Sequence, residues 1–138
     1  MRPIAIEGWH RAVEARDGRA LDEILADDAV FQSPVVHKPQ VGKPIVKTYL
    51  AAALTVLGGE SFRYLNEWIG ENSAVLEFSA NVQGIEINGV DIISWNEAGR
   101  IKAFKVMVRP LKAVNLLHQL MGAQLSGARL ATPAPARG

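Results

Sequence analysis

The stretch NGVDIISWNEAGR, residues 88–100, combines a strand pattern with a turn and decides the fold. Read with a period of two, one of its faces is apolar, and the pattern continues back through Ile87 and Ile85. The Asn-Glu-Ala-Gly segment at its end is a turn signal. Asp91 interrupts the apolar face. Because an unpaired carboxylate in a solid core costs several kcal/mol, this residue must either find hydrogen-bond donors or lie in a cavity.

The same period of two extends over residues 61–109, with turn signals about every ten residues. Neighbouring strands joined by such short turns form an antiparallel meander. The candidate strands are SFRYLNEWI (61–69), SAVLEFSANV (73–82), IEINGVDIISW (85–95) and RIKAFKVMVR (100–109). Apolar residues occupy one parity of each strand, so this parity should form the concave face of the sheet.

Helical periodicity lies on both sides of the meander, and prolines stand where several helices begin. The predicted segments are a helix from Pro3 to the Asp17–Gly18 pair, a short helix at 19–28, a strand at 29–34, a helix at 44–57 and a last helix at 111–125. Helices followed by a meander give an α+β domain. We expect a curved antiparallel sheet wrapped around the N-terminal helices, with an extra C-terminal helix.

The composition is that of one globular domain of ordinary charge. Among 138 residues, 15 Lys and Arg stand against 14 Asp and Glu, so no global field points to nucleic acid or membrane. The absence of cysteine removes disulfides and thiolate chemistry. No apolar run approaches the roughly 18 residues of a membrane helix, and the N-terminus becomes charged too early for a signal peptide. We expect a cytoplasmic protein with a domain at 1–125 and a disordered tail at 126–138.

Three motifs, together with the order of the elements, resemble the nuclear transport factor 2-like superfamily. They are DDAVFQSP (27–34), VDIISWNEAGRI (90–101) and the closing VRP (108–110). The resemblance is to SnoaL-like and ketosteroid-isomerase-like members, and it covers the chain to about residue 125. It implies a cone-shaped α+β barrel around an apolar pocket. That fold hosts isomerases, hydrolases, dehydratases, cyclases and proteins without catalysis.

The resemblance can be followed residue by residue. Asp91 lies where ketosteroid isomerases keep a protonated aspartic acid in their oxyanion hole, which apolar surroundings hold neutral. Ser33 stands where those isomerases carry the general base, and Trp9 stands where they carry a tyrosine donor. Because a serine hydroxyl has no basicity near neutral pH without a partner base, steroid isomerisation by that machinery is not expected. The Arg-x-Asp pair of limonene-epoxide-hydrolase-like members does not occur in the sequence.

Two residues are predicted to carry catalysis. Asp91 is the first, because a perturbed carboxyl group inside a pocket is more often functional than a random one. His37 is the second, because it follows the first strand near the expected pocket mouth and histidine exchanges protons near neutral pH. The alternatives are a structural carboxyl group satisfied by neighbouring donors and an exposed loop histidine. An enzyme of this design needs a cavity that Asp91 lines and His37 reaches.

Aromatic and aliphatic side chains on the inner parity are expected to line the ligand pocket. In a hollow cone the inner face is also the pocket wall, and a tyrosine or tryptophan there can hydrogen-bond a ligand or the buried carboxyl group. The predicted ligand-binding residues are Trp9, Tyr49, Phe78, Ile93, Trp95, Phe104 and Val106. The opposite parity is partly apolar, so we expect a homodimer through the sheet.

The sequence therefore predicts a small enzyme that moves protons on a hydrophobic carbonyl-bearing or cyclic substrate. Isomerisation, cyclisation and dehydration all remain open. The sequence contains no cofactor motif, and its three dispersed histidines lack metal-ligand spacing, so no cofactor and no metal are expected. The alternative is a non-catalytic ligand-binding or dimerisation module of the same fold, in which Asp91 is a hydrogen-bond hub.

Overall fold

The computed structural model describes residues 2–16 and 18–129. Along the chain, helices come before and after a meander of four strands. Its elements are α1 (Ile4–Ala15), a 3-10 turn (Gly18–Ala20), α2 (Leu21–Ile24), β1 (Leu25–Gln32), β2 (Gln40–Val41), α3 (Lys43–Leu57), β3 (Arg63–Ile69), β4 (Ser73–Val82), β5 (Ile85–Trp95), β6 (Ile101–Arg109) and α4 (Leu111–Arg129). This mixed architecture confirms the predicted α+β class.

The six strands form one sheet in the order β2-β1-β6-β5-β4-β3. Strands β3 to β6 form the predicted antiparallel meander, whereas β1 joins β6 in parallel and carries β2 at the edge. The β4–β5 hairpin turns on Gln83 and Gly84, which both have positive φ, as a two-residue type I′ turn requires. Burial alternates along β4 and β5, so one face of the meander is core and the other is more exposed.

The buried parity of the sheet packs against the helices. One large cluster joins Ile6 of α1 and Leu50 of α3 with Leu76, Ile93 and Phe104 of the sheet. A smaller cluster joins sheet residues to Ala113 and Leu117 of α4. The core therefore lies between the concave face and the helices, where the alternation of the strands predicts it.

The second helix is shorter than the sequence predicts. Residues 19–28 carry apolar side chains at helical spacing, yet α2 ends at Ile24 and β1 begins at Leu25. Leu25 is fully buried and pairs with Ile101 of β6. Because a single helical turn is unstable by itself, strand pairing outweighs helix propensity over these residues.

The ends of the first and the last helix differ in detail from the expectation. Helix α1 ends at Ala15 with Arg16 in the left-handed region, and the predicted stop at Asp17 lies outside the described residues. Helix α4 continues past residue 125, the expected end of the domain, to Arg129. The rest of the predicted tail, 130–138, also lies outside them. Within the described part of the chain, no helix is long and apolar enough to cross a membrane.

Strand β3 contains an irregularity that shapes the site. Its pairing with β4 shifts by one residue between Tyr64 and Asn66, which leaves Leu65 as the extra residue of a β-bulge. A bulge exchanges the two faces for every residue beyond it. Glu67 therefore shares the inner face with Tyr64, and Asn66 points to solvent.

A glycine in β5 makes room for an aromatic ring. Gly89 lies opposite Phe78 of β4. A Cβ atom at Gly89 would come within 2.7 Å of Phe78 Cζ and 2.5 Å of the carbonyl oxygen of Met107. The ring of Phe78 can therefore lie against β5 only where a side chain is missing.

Candidate active site

Asp91 lies at the centre of β5 on the concave face, between Leu76 of β4 and Val106 of β6. Its exposed fraction is 5%, and it is the one buried polar or charged side chain among residues 2–16 and 18–127. The neighbouring strands offer it apolar side chains alone. A carboxyl group in such surroundings needs a donor from another element.

That donor is Tyr64 of β3. Its hydroxyl group donates to Asp91 Oδ2 at 2.6 Å. The same hydroxyl oxygen accepts a hydrogen bond from Trp9 Nε1 at 2.8 Å, so α1 completes the chain of donors. The three residues are far apart in sequence, and the fold alone brings them together. Trp9 thus orients Tyr64, and Tyr64 orients the carboxyl group.

The pKa shifts of Asp91 and Tyr64 give the two residues different roles. Burial raises the pKa of Asp91 to about 7, although the hydrogen bond from Tyr64 opposes the shift by stabilising the carboxylate. Burial and the nearby Asp91 charge raise the pKa of Tyr64 well above its usual value. Near neutral pH, Asp91 therefore exchanges its proton while Tyr64 stays protonated and remains a donor.

A polar cluster of Arg2, His10 and Glu67 adjoins Tyr64. Glu67 Oε2 lies 2.6 Å from His10 Nε2, and Arg2 donates to both carboxylate oxygens at 3.1 and 3.0 Å. The His10 ring meets the Tyr64 ring edge to face, with centroids 5.1 Å apart. The bulge makes the contact between Glu67 and His10 possible, because it turns Glu67 to the inner face of the sheet.

Asp91 opens onto an apolar cavity between the concave face and helices α1, α3 and α4. The cavity has a volume of about 60 Å³. Of the side chains that line it, Asp91 and Tyr64 are the two that titrate. Within the described part of the chain, every fully buried side-chain oxygen or nitrogen has a hydrogen-bond partner. Since Tyr64 is bonded to Oδ2, the second carboxyl oxygen, Oδ1, is the one left to face the cavity.

The structure brings together part of the predicted site. Asp91 and four of the predicted ligand-binding residues line the cavity: Trp9, Phe78, Phe104 and Val106. The other three predicted residues lie in the surrounding core. Ile93 and Trp95 are buried there, and Tyr49 packs its ring against Phe31.

His37 does not reach the cavity, so the expected pairing with Asp91 is absent, and the enzyme design that needs both residues is not supported. Ser33 Oγ accepts hydrogen bonds from the backbone N–H groups of Val35 and Val36, which forms a turn directly after β1. Beyond this turn the chain runs along the sheet edge to β2. His37 is exposed there, in a shallow surface groove next to Lys105.

Sequence reasoning missed Tyr64, which takes the place expected for His37 as the partner of Asp91. The residue shares a strand parity with Phe62, and this apolar pair was the available signal. Glu67 carried no such signal, because regular alternation from Tyr64 places it on the outer face. The bulge at Leu65 reverses that assignment.

The fold and the site together define a small α+β domain that holds one acid in an apolar cavity. The model of the SnoaL-like domain family matches residues 6–104, and the chain belongs to that family. This match confirms the resemblance to SnoaL-like proteins seen in the sequence. A nuclear transport factor 2-like protein from Cytophaga hutchinsonii, 15% identical (79% and 90% covered, TM-score 0.60), shares the fold. A comparison with curated proteins gives no match.

Two solved structures are similar over nearly the whole chain. A steroid delta-isomerase from Pseudomonas aeruginosa is 40% identical, with 93% of each chain covered and a TM-score of 0.86. An uncharacterised protein with a cystatin-like fold from Silicibacter pomeroyi is 30% identical, with 93% of this chain and 91% of that chain covered and a TM-score of 0.85. A putative polyketide cyclase from Sinorhizobium meliloti is 18% identical (77% and 95% covered, TM-score 0.62) and shares the fold.

Proposed function

We propose that this chain is a cofactor-independent acid–base enzyme that isomerises small hydrophobic carbonyl compounds through Asp91. One observation carries the proposal: the Asp91 carboxyl group is held by Tyr64 on one oxygen and faces an apolar cavity with the other. A group whose pKa lies near the working pH transfers protons most effectively, and the pKa of Asp91 is about 7.

Isomerisation fits this site better than cyclisation or dehydration because it needs a single titrating group. Ionised Asp91 removes a proton from the carbon next to a carbonyl group and becomes neutral. The neutral acid protonates the carbonyl oxygen, so the intermediate is a dienol rather than an exposed oxyanion. The hydroxyl proton of the dienol then returns to the Asp91 carboxylate, and the neutral acid so formed delivers a proton to the far carbon of the conjugated system, which leaves Asp91 ionised again. No proton, water or leaving group is gained or lost overall.

The comparisons support this choice at two levels. The Pseudomonas aeruginosa protein, 40% identical, bears the name steroid delta-isomerase. The putative cyclase is 18% identical, and its likeness is one of fold. The stronger likeness therefore favours isomerisation.

The runner-up is a ligand-binding module without turnover. Its supporting observation concerns Ser33, which stands where related isomerases carry the general base. The hydroxyl oxygen of Ser33 accepts hydrogen bonds from the backbone turn instead. In that case Asp91 and Tyr64 anchor a ligand and do not act on it.

The test is the conversion of cyclohex-3-enone to cyclohex-2-enone, followed by ultraviolet absorbance and by deuterium uptake from solvent. Asp91→Asn should lower kcat/KM by about 10²- to 10⁴-fold, because the amide cannot exchange a proton. Tyr64→Phe should lower it by roughly 10- to 100-fold, because the carboxylate loses a strong donor.

The matched controls are Asp28→Asn, at an exposed carboxyl group, and Tyr49→Phe, at the other tyrosine of the chain. Neither should change kcat/KM. The enzyme hypothesis is rejected if Asp91→Asn is as active as wild type, or if wild type leaves proton exchange at the uncatalysed rate. Either result would favour the ligand-binding module.

We also propose that the chain forms a homodimer through the outer face of the sheet. The register places Trp68, Val75 and Ile92 side by side across β3, β4 and β5 on that face. Trp68 has an exposed fraction of 57%, which is high for an indole side chain in an uninterrupted apolar row. Such rows are typical of surfaces that a partner covers.

A further inference from the structure

We infer that the molecule acted on at Asp91 has at most one ring, and that Met121 and Leu117 of α4 set this limit. The inference rests on the proposed function, because it takes the ligand to be held at Asp91. It concerns the size and shape of the ligand, which the acid–base chemistry leaves open.

The size limit follows from the cavity volume. The cavity measures about 60 Å³, whereas an engineered cavity of about 150 Å³ in another protein binds benzene. One six-membered ring therefore requires a small outward movement of the lining, and a fused ring system requires a large one. A tetracyclic skeleton of the size of a steroid requires the largest movement of all.

Helix α4 forms part of the cavity wall. Leu117 and Met121 contribute to the lining, one helical turn apart. Leu117 is buried in the cluster that also contains Phe78 and Ala113, so its position is fixed by packing. Met121 is half-buried and packs against the larger core cluster, so it contributes less buried surface to folding than Leu117 does. Met121 is therefore the residue whose replacement can enlarge the cavity at the smallest cost in folding.

Helix α4 also lies outside the part of the chain that matches the family model, which ends at residue 104. The acid lies on β5 of the sheet, whereas Leu117 and Met121 lie on α4. Substrate size is then set by a different element from the one that carries the chemistry.

The polarity of the lining completes the description of the ligand. Trp9, Tyr64 and Ser33 use their polar atoms in hydrogen bonds within the protein. Asp91 Oδ1 is left as the titrating atom that can meet the ligand, and the hydroxyl hydrogen of Ser33, whose oxygen only accepts, can donate to it as well. The fitting class is a monocyclic ketone or enol with one oxygen at one end and an apolar body.

The test uses three phenols of increasing size, phenol, 2-naphthol and estradiol, titrated by calorimetry into the full chain. Wild type should bind phenol about 10- to 200-fold more tightly than 2-naphthol, which is the range that misfit in an apolar pocket produces. Estradiol should give no binding. Met121→Ala removes Cγ, Sδ and Cε from the lining and should bring 2-naphthol to within about tenfold of phenol.

Met107→Ala is the matched control, because this exposed methionine of β6 does not line the cavity. The Met107→Ala variant should prefer phenol over 2-naphthol to the same extent as wild type. Leu117→Ala provides a second enlargement, should Met121→Ala fail to fold. The inference is overturned if wild type binds estradiol as tightly as phenol, if none of the phenols binds, or if neither α4 variant changes the preference.

Because these titrations measure binding without turnover, they separate this inference from the proposed function. A preference for one ring without catalysed proton exchange would uphold the size limit and remove the enzyme. Catalysed exchange without any size preference would do the opposite.

Discussion

At the scale of single residues, Asp91 stands in contrast to the other carboxylates of the chain. Asp22 and Glu77 lie at the surface, and hydrogen bonds hold their pKa values below the usual range. Burial moves the pKa of Asp91 in the opposite direction, because desolvation outweighs its hydrogen bond. This acid is therefore neutral where the other two are charged, and the folded state must bear the cost of ionising it.

The free energy of unfolding should accordingly fall as pH rises from about 4 to about 7 in wild type and not in Asp91→Asn. The unfolded chain releases this proton near 3.8 and the folded chain near 7, so the folded state binds more protons between these values. At about 1.4 kcal/mol per pH unit, the difference between the two proteins approaches roughly 4 kcal/mol. Urea unfolding of both proteins across this range measures it.

Asp28→Asn is the control for that experiment, since Asp28 is exposed and its replacement should reproduce the wild-type profile. At pH 8 the Asp91→Asn variant should be at least as stable as wild type. A variant that is weaker by a few kcal/mol at neutral pH would show instead an ionised Asp91 held by Tyr64, which is the structural hub.

At the scale of elements, two irregular positions build the site into an otherwise regular meander. The bulge at Leu65 keeps Tyr64 and Glu67 on one face, and Gly89 leaves space for the ring of Phe78. The first position supplies the donor to Asp91, and the second supplies a wall of the cavity. Both devices depend on the local backbone rather than on the overall sheet order.

Gly89→Ala should destabilise the protein by about 1–3 kcal/mol, because the new Cβ meets the backbone oxygen of Met107, which cannot yield easily. The displaced ring of Phe78 should also fill part of the cavity and weaken phenol binding. Gly122→Ala, where a Cβ meets open space in a helix, should stabilise by about 0.4–1 kcal/mol. Urea denaturation of the two variants gives both values, and equal shifts of the same sign would contradict this account of β5.

At the scale of the whole molecule, sequence periodicity predicts the regular strands and helices but not the bulges and turns that interrupt them. The alternation in β4 and β5 is enough to place Asp91 and Phe78 on the inner face, as observed. The bulge in β3 leaves no mark in the pattern, so the assignment of Glu67 could not be made. His37 was misplaced for a related reason, because a turn held by Ser33 Oγ redirects the chain and composition does not encode that direction.

The proposed dimer is also a property of the whole molecule. Trp68→Lys should weaken self-association by at least about 30-fold, because it places a charge in the apolar row that the partner would cover. Leu111→Lys, at an exposed leucine at the start of α4, should leave it unchanged. Sedimentation velocity over a range of concentrations measures both variants, and a wild type that remains monomeric throughout would remove the dimer.

The single free oxygen of Asp91 has a stereochemical consequence. A molecule anchored at one atom can turn about that hydrogen bond, so the hydrogen bond alone does not fix which face of the ring is presented. Handedness must then come from shape, through the walls that Phe78 and Val106 provide. A ring with a substituent out of its plane would meet those walls differently in its two orientations, so the walls would favour the binding of one enantiomer.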